Sequence, residues 1–101
     1  MTATPVELTW ADSNCNGGVD PIDSLFVLRA DAGLPVNQED PCVPLGDVAS
    51  FDGINLMWGD FDCNGAMSPI DSLKILQYDS GFEPAQSSVD CPGFGAMVTL
   101  G

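Results

Sequence analysis

The chain has 101 residues, four cysteines, no histidine and only two basic residues against 15 acidic ones, giving a formal net charge of −13. This charge excludes nucleic acids and anionic lipid surfaces as partners, because both require clustered Lys and Arg. The missing histidine leaves little material for a Cys/His zinc site or a thiolate–imidazole pair, so we expect one small domain that is not an enzyme.

The start of the chain, residues 1–4, lacks the basic and apolar regions of a signal peptide. We therefore expect a mature or recombinant piece if the natural protein is secreted. No apolar run reaches the roughly 18 residues of a membrane span, so we expect no membrane insertion. Val6 to Trp10 and Ile54 to Trp58 alternate weakly and are predicted to be extended segments that pair as a short β ribbon.

The sequence is an internal duplication. Trp10 to Leu28 aligns without a gap with Trp58 to Leu76 at a shift of 48 residues, with identity at 11 of 19 positions. We expect a single domain over residues 1–101, divided into repeat one (6–42), an irregular Pro- and Gly-rich linker (43–53), repeat two (54–91) and a loose tail (92–101). Within the tail, Met97 to Leu100 is a predicted strand.

Each repeat contains a 12-residue loop with oxygen-bearing residues at the spacing of calcium ligands. Calcium takes six to eight oxygens, and such a loop supplies them from positions 1, 3, 5, 7, 9 and 12 around a glycine at position 6. In the first loop the ligands in that order are Asp12, Asn14, Asn16, the Gly18 carbonyl, Asp20 and Asp23. In the second loop they are Asp60, Asp62, Asn64, the Ala66 carbonyl, Ser68 acting through a water, and Asp71. The sequence thus predicts two Ca²⁺ sites.

An alternative for each loop is an ordinary Asp/Asn turn, and an acidic surface can also serve solubility alone. Turn chemistry does not require acids at positions 1 and 12, however, and both loops have them in register. Two calcium ions would reduce the formal net charge from −13 to −9. Position 12 is Asp instead of Glu and no helix precedes either loop, which argues against a calmodulin-like sensor.

A helix is predicted directly after each loop. Pro21 and Pro69 suit the first helical turn, and Gly33 and Gly81 suit the helix stop. Apolar residues recur three apart in both copies and are predicted to form one buried stripe, which consists of Val19, Ile22, Leu25 and Leu28 in repeat one and Met67, Ile70, Leu73 and Leu76 in repeat two.

Cys15 and Cys63 occupy position 4 of their loops, and Cys42 and Cys91 follow the two helices at similar intervals. Four cysteines allow three connectivities, of which the duplication favours Cys15 with Cys42 and Cys63 with Cys91. Such bridges would imply an oxidising, extracellular compartment. Free or metal-binding thiols are the alternative.

The twin loops, each followed directly by a helix, resemble the type I dockerin family over Trp10 to Leu34 and Trp58 to Phe82. The expected fold is a small, mostly α calcium-binding domain of two pseudo-symmetric loop-helix units, stapled by disulfides. The resemblance implies a calcium-dependent module that is appended to secreted or cell-surface proteins and binds a cohesin-type domain. The near-identical copies would let the partner dock in two orientations related by a half-turn.

In dockerins the partner-reading residues lie at loop positions 10 and 11 and on the following helix. By resemblance they are here Pro21, Ile22, Phe26, Arg29, Pro69, Ile70, Lys74 and Gln77. Phe26 is either an exposed anchor or packed under the linker. Pro-Ile replaces the frequent Ser-Thr pair at positions 10 and 11, which favours the alternative function of a calcium-stabilised extracellular subunit that assembles with itself.

Overall fold

The computed structural model describes residues 6–38, 42–84, 86 and 90–100. The expectation for residues 1–4, that they are not a signal peptide, lies outside the described residues. Within the described ranges, two 11-residue helices and four 4-residue strands follow one another. In order they are β1 (Val6–Thr9), α1 (Pro21–Asp31), β2 (Val48–Phe51), β3 (Ile54–Met57), α2 (Pro69–Asp79) and β4 (Met97–Leu100).

The four strands form one antiparallel sheet in the order β1-β4-β2-β3. The expectation of a mostly α domain is therefore wrong. The predicted strands at 6–10, 54–58 and 97–100 exist, but β1 and β3 do not pair with each other as a ribbon. They lie at opposite edges of the sheet, where Val6 is opposite Leu100 and Met57 is opposite Val48.

The predicted irregular linker also contains a strand, β2, which forms a hairpin with β3. The hairpin turn is Asp52-Gly53, with φ of 52° and 84°. An Asp-Gly pair with positive φ at both positions is the turn that matches the twist of two antiparallel strands. The Pro, Gly, Asp and Ser residues around this strand are typical of irregular structure, which is why its sequence does not predict a strand.

Strand pairing joins the two halves of the chain. β2, which follows the first helix, pairs with β3 before the second loop, and β4, which follows the second helix, pairs with β1 before the first loop. Equivalent residues meet between the repeats: the Ser24 and Ser72 hydroxyls are hydrogen-bonded, and the Trp10 and Trp58 rings lie 5.6 Å apart. This arrangement indicates an approximate twofold axis between the repeats.

Both helices begin and end as predicted. Asp20 and Ser68 are the N-caps, each with a reciprocal capping box, and proline occupies the first turn. The helices end just before Gly33 and Gly81, whose φ values of 77° and 96° require the left-handed conformation that glycine adopts without strain.

The predicted buried stripe is wrong for its helical residues. Six of the eight side chains are 41–51% exposed, namely Ile22, Leu25, Leu28, Ile70, Leu73 and Leu76, while Val19 and Met67 pack partly against the core. The buried face of α1 is instead Asp23, Ser24 and Val27, and that of α2 is equivalent. Asp23 must face the loop to accept its N–H groups, which turns the apolar row to the opposite side of the helix.

The core between the helices and the sheet is aromatic. Trp10, Trp58, Phe51 and Phe61 are almost wholly buried, and their ring centroids lie 5.0–5.6 Å apart. Most of these pairs are edge-to-face, a geometry that adds to the stabilisation from burial alone. Because each tryptophan lies two residues before the first position of a loop, the core is continuous with both candidate metal sites.

The predicted disulfide pairing is confirmed. Cys15 is bonded to Cys42 and Cys63 to Cys91, with sequence separations of 27 and 28 residues and a Cα–Cα distance of 5.8 Å in both. Each bond joins position 4 of a loop to the segment that follows its helix. Two disulfides are consistent with an extracellular location.

Candidate metal centre

Both loops are folded around their acidic side chains by the same set of hydrogen bonds. In the second loop, Asp60 accepts the N–H groups of Asn64 and Gly65, at 3.1 and 2.9 Å. Asp62 accepts a second bond from the Asn64 N–H, at 3.3 Å. Asp71 closes the loop by accepting the N–H groups of Asp62 and Ser68, at 3.1 and 2.9 Å.

The first loop repeats this pattern at a shift of 48 residues. Asp12 accepts from Asn16 and Gly17, and Asp23 accepts from Asn14 and Asp20, at 2.7–3.3 Å. The backbones agree as well, because φ is 58° at both Cys15 and Cys63 and 105° and 102° at the two position-6 glycines, Gly17 and Gly65. The two loops therefore share the same hydrogen bonds and the same backbone conformation at these positions.

Three buried carboxylates converge in the second loop. One oxygen from each of Asp60, Asp62 and Asp71 lies within 4.8 Å of the other two. Calcium binds oxygens at 2.3–2.6 Å, so two ligands of one ion can be at most about 5.2 Å apart. The spacing and the hard oxygen donors thus fit a divalent cation. The first loop has Asn14 at the place of Asp62, so there an amide oxygen replaces the third carboxylate.

Burial makes these carboxylates costly to ionise without a cation. It raises the pKa of Asp23 and of Asp71 from 3.8 to about 7, despite the N–H groups that both accept. Burial likewise raises the pKa of Asp60. At Asp62 the effect of burial is outweighed by hydrogen bonds with Asp71, Lys74 and Asp60, so its pKa is lowered. A bound cation would remove this cost by stabilising every ionised form.

The remaining predicted ligands occupy the outer part of each loop. Asp20 and Ser68, at position 9, cap the helices by accepting the N–H groups of Ile22 and Ile70, at 3.0 and 3.3 Å. Each retains acceptor capacity for a metal or its water. The other position-5 and position-7 residues are exposed around the loop rim, and these are Asn16, Gly18, Asn64 and Ala66.

The predicted partner-reading residues lie mostly on the outer face of the helices. Pro21, Ile22, Arg29, Pro69, Ile70 and Gln77 are exposed. Phe26 is half-buried and lines a shallow groove with Pro35 and Val36. Lys74 differs from the rest, because its ammonium lies 3.0 Å from a carboxylate oxygen of Asp62 and belongs to the second loop.

Sequence reasoning missed the contribution of the tryptophans to the loops. The Trp10 indole N–H donates to the Phe61 carbonyl at 2.9 Å, and the Trp58 indole N–H donates to the Ser13 carbonyl at 3.3 Å. Phe61 and Ser13 occupy position 2 of their loops, so each tryptophan contacts the loop of the other repeat. The presence of tryptophan at the same position of both repeats was the available sequence signal. It does not show that each indole donates to the loop of the other repeat.

Comparison of the chain with family models, with curated protein sequences and with solved structures gave no match. The dockerin resemblance therefore depends on the two loops and their following helices. Within the described residues, neither helix is long and apolar enough to cross a membrane.

Proposed function

We propose that the chain is a calcium-dependent protein-interaction module of the dockerin type, which binds two Ca²⁺ ions and a cohesin-like domain outside the cell. The observation that supports it most is the pair of equivalent loops. In both loops the acids at positions 1 and 12 are buried, and in the second loop one oxygen from each of three buried carboxylates lies within 4.8 Å of the other two. Hard oxygen ligands at this spacing suit calcium better than softer transition metals.

Calcium would act on the fold as well as on the site. Asp23 and Asp71 are fully buried, and each also fixes the first turn of a helix by accepting the N–H group of the N-cap residue. A cation that stabilises these two carboxylates therefore stabilises both loops and both helix starts. Binding to the folded state alone adds to the free energy of unfolding.

The proposed partner surface is the outer face of α1 and α2. It bears the apolar row of Ile22, Leu25 and Leu28 and the equivalent row on α2, all about half-exposed. Six large aliphatic side chains exposed on two adjacent helices are typical of a protein-binding surface. The equivalence of the two rows supports docking in two orientations related by a half-turn.

The alternative of a self-assembling subunit would use this same apolar face. Against it, each copy carries a formal net charge of −13, or −9 with two calcium ions, so two copies repel each other. We also propose that the chain has no catalytic role, since its buried carboxylates are engaged in the loops and it contains no histidine.

Affinity capture from the native secretome, in calcium and in chelator, tests the proposal. We expect a cohesin-like β-sandwich, identified by mass spectrometry, only in calcium. The double variant Ile22→Asp, Ile70→Asp should abolish capture, whereas Val48→Asp, a change at an exposed position on the sheet, should not. Calcium-dependent self-association in sedimentation without such a partner would instead support the alternative.

A further inference from the structure

Among the positions at which the two loop-helix units differ, two lie in contact with each other in the second unit. Loop two has a third inner carboxylate, Asp62, and a basic residue, Lys74, in the first turns of α2. Loop one has Asn14 and Phe26 at the equivalent places. The inner carboxylate at position 3 and the ammonium thus occur in the same repeat and contact each other, whereas the third carboxylate of loop one is Asp20, at the place of Ser68.

The Lys74 ammonium is placed to act as a cation of the loop. It lies 3.0 Å from Oδ2 of Asp62, whose side chain is 2% exposed, while the Lys74 side chain is 18% exposed. Lys74 follows Asp71 by three residues, so both lie on the same side of α2, and helical side chains lean toward the N-terminus. The ammonium is therefore directed back toward the loop, where it contacts Asp62, one of the three converging carboxylates.

We propose that Lys74 is the internal counter-ion of the second loop, which holds Asp62 in the metal-free protein and competes with calcium for that carboxylate. The inference depends on the proposed calcium function. In loop two an entering Ca²⁺ meets three carboxylates and one ammonium, whereas loop one contains three carboxylates and no basic residue. Lys74 therefore stabilises the second loop when no metal is bound. It also lowers the calcium affinity of this loop below the affinity that its ligands would have without Lys74.

Two effects of opposite sign follow for Lys74→Met, which keeps the length of the side chain and removes its charge. Without metal, Asp62 loses its partner charge and the melting temperature in chelator should fall. With calcium, removing a positive charge that contacts one of the proposed ligands should tighten the second site by about ten-fold. If Lys74 had only a structural role, Lys74→Met would lower both the melting temperature in chelator and the calcium affinity of loop two.

The test is a titration in calcium-buffered solutions, with the amide resonances of Gly17 and Gly65 reporting on loops one and two. We expect Lys74→Met to move the Gly65 midpoint to about ten-fold lower calcium and to leave Gly17 within two-fold, with Lys74→Arg close to the original protein. Conversely, adding Phe26→Lys to an Asn14→Asp variant should weaken loop one. An unchanged or higher Gly65 midpoint in Lys74→Met would overturn the proposal while calcium binding stands. Failure of both glycines to respond in the original protein would instead contradict the calcium function itself.

Discussion

Asp71 illustrates how one side chain serves both the fold and the site. Its two carboxylate oxygens accept the N–H groups of Asp62 and Ser68, which closes the loop and fixes the start of α2. It is fully buried, and the same oxygens are the predicted ligand at position 12. Asp23 repeats these contacts in loop one. Metal binding at position 12, as proposed, would therefore be coupled to helix formation in both loops.

Asp71→Asn should weaken calcium binding in loop two by about 100-fold or more, since it removes a charged ligand of a hard cation. Loop one should keep its affinity within about two-fold, because it has its own ligand set. Calorimetry on the variant should therefore show one lost binding event. Asp79→Asn, which changes an exposed carboxylate on the same helix, is the control and should bind two ions. Loss of both sites in Asp71→Asn would contradict the separate assignment of the loops.

The raised pKa values predict a pH dependence whose sign depends on metal. In the metal-free fold Asp23 and Asp71 have a pKa of about 7 against 3.8 when unperturbed. Their contribution to stability is then complete below about pH 3.8 and is lost as the pH rises through 7. In chelator, the melting temperature should fall between pH 4 and 7.5. In saturating calcium it should rise over the same range, because the ion binds the deprotonated carboxylates. The same change of melting temperature with pH in chelator and in saturating calcium would contradict this account.

At the scale of elements, local signals predicted the loops, the helix boundaries and the disulfides. These features depend on residues close in sequence or on the repeat itself, such as the Asp20 and Ser68 caps and the paired cysteines. The sheet was not predicted, because each strand has only four residues and β1 pairs with β4 at the far end of the chain. The orientation of the helices was misjudged because Ile22, Leu25 and Leu28 form a regular apolar row, yet Asp23 determines which side faces inward.

The two disulfides should contribute equally to stability. Their loops contain 27 and 28 residues, and the chain-entropy model gives about 3–4 kcal/mol for closing either one. We expect Cys15→Ser, Cys42→Ser and Cys63→Ser, Cys91→Ser to lower the free energy of unfolding by similar amounts. Urea denaturation in saturating calcium measures both. A double variant that unfolds at the same urea concentration as the original protein would contradict the prediction.

Across the whole molecule, the exchange of strands and the crossed indole bonds make the two repeats interdependent. The Trp58 indole donates to Ser13 in loop one, and the Trp10 indole donates to Phe61 in loop two. Their rings also form one core with Phe51. The β1–β4 and β2–β3 pairings and both indole bonds thus each join one half of the chain to the other. We therefore expect one cooperative folding unit and not two independent loop-helix halves.

Trp58→Phe tests this interdependence. Although Trp58 lies two residues before loop two, its indole N–H donates to loop one, so the variant should weaken calcium binding more in loop one. Loss of one hydrogen bond corresponds to roughly a five-fold change in affinity. Trp10→Phe should weaken calcium binding more in loop two. Because both variants lose similar core packing, this opposite effect separates the indole bonds from packing. The Gly17 and Gly65 amide resonances report the two loops separately. A larger effect on the adjacent loop in both variants would contradict the crossed coupling.

The central claim, that two Ca²⁺ ions bind the twin loops and stabilise the fold, is tested most directly by titrating chelator-stripped protein, with its disulfides intact, with calcium. Calorimetry and circular dichroism should show two binding events, a gain of helical signal and a rise in melting temperature. The absence of heat and of any structural change would contradict the claim and would reduce both loops to ordinary Asp/Asn turns.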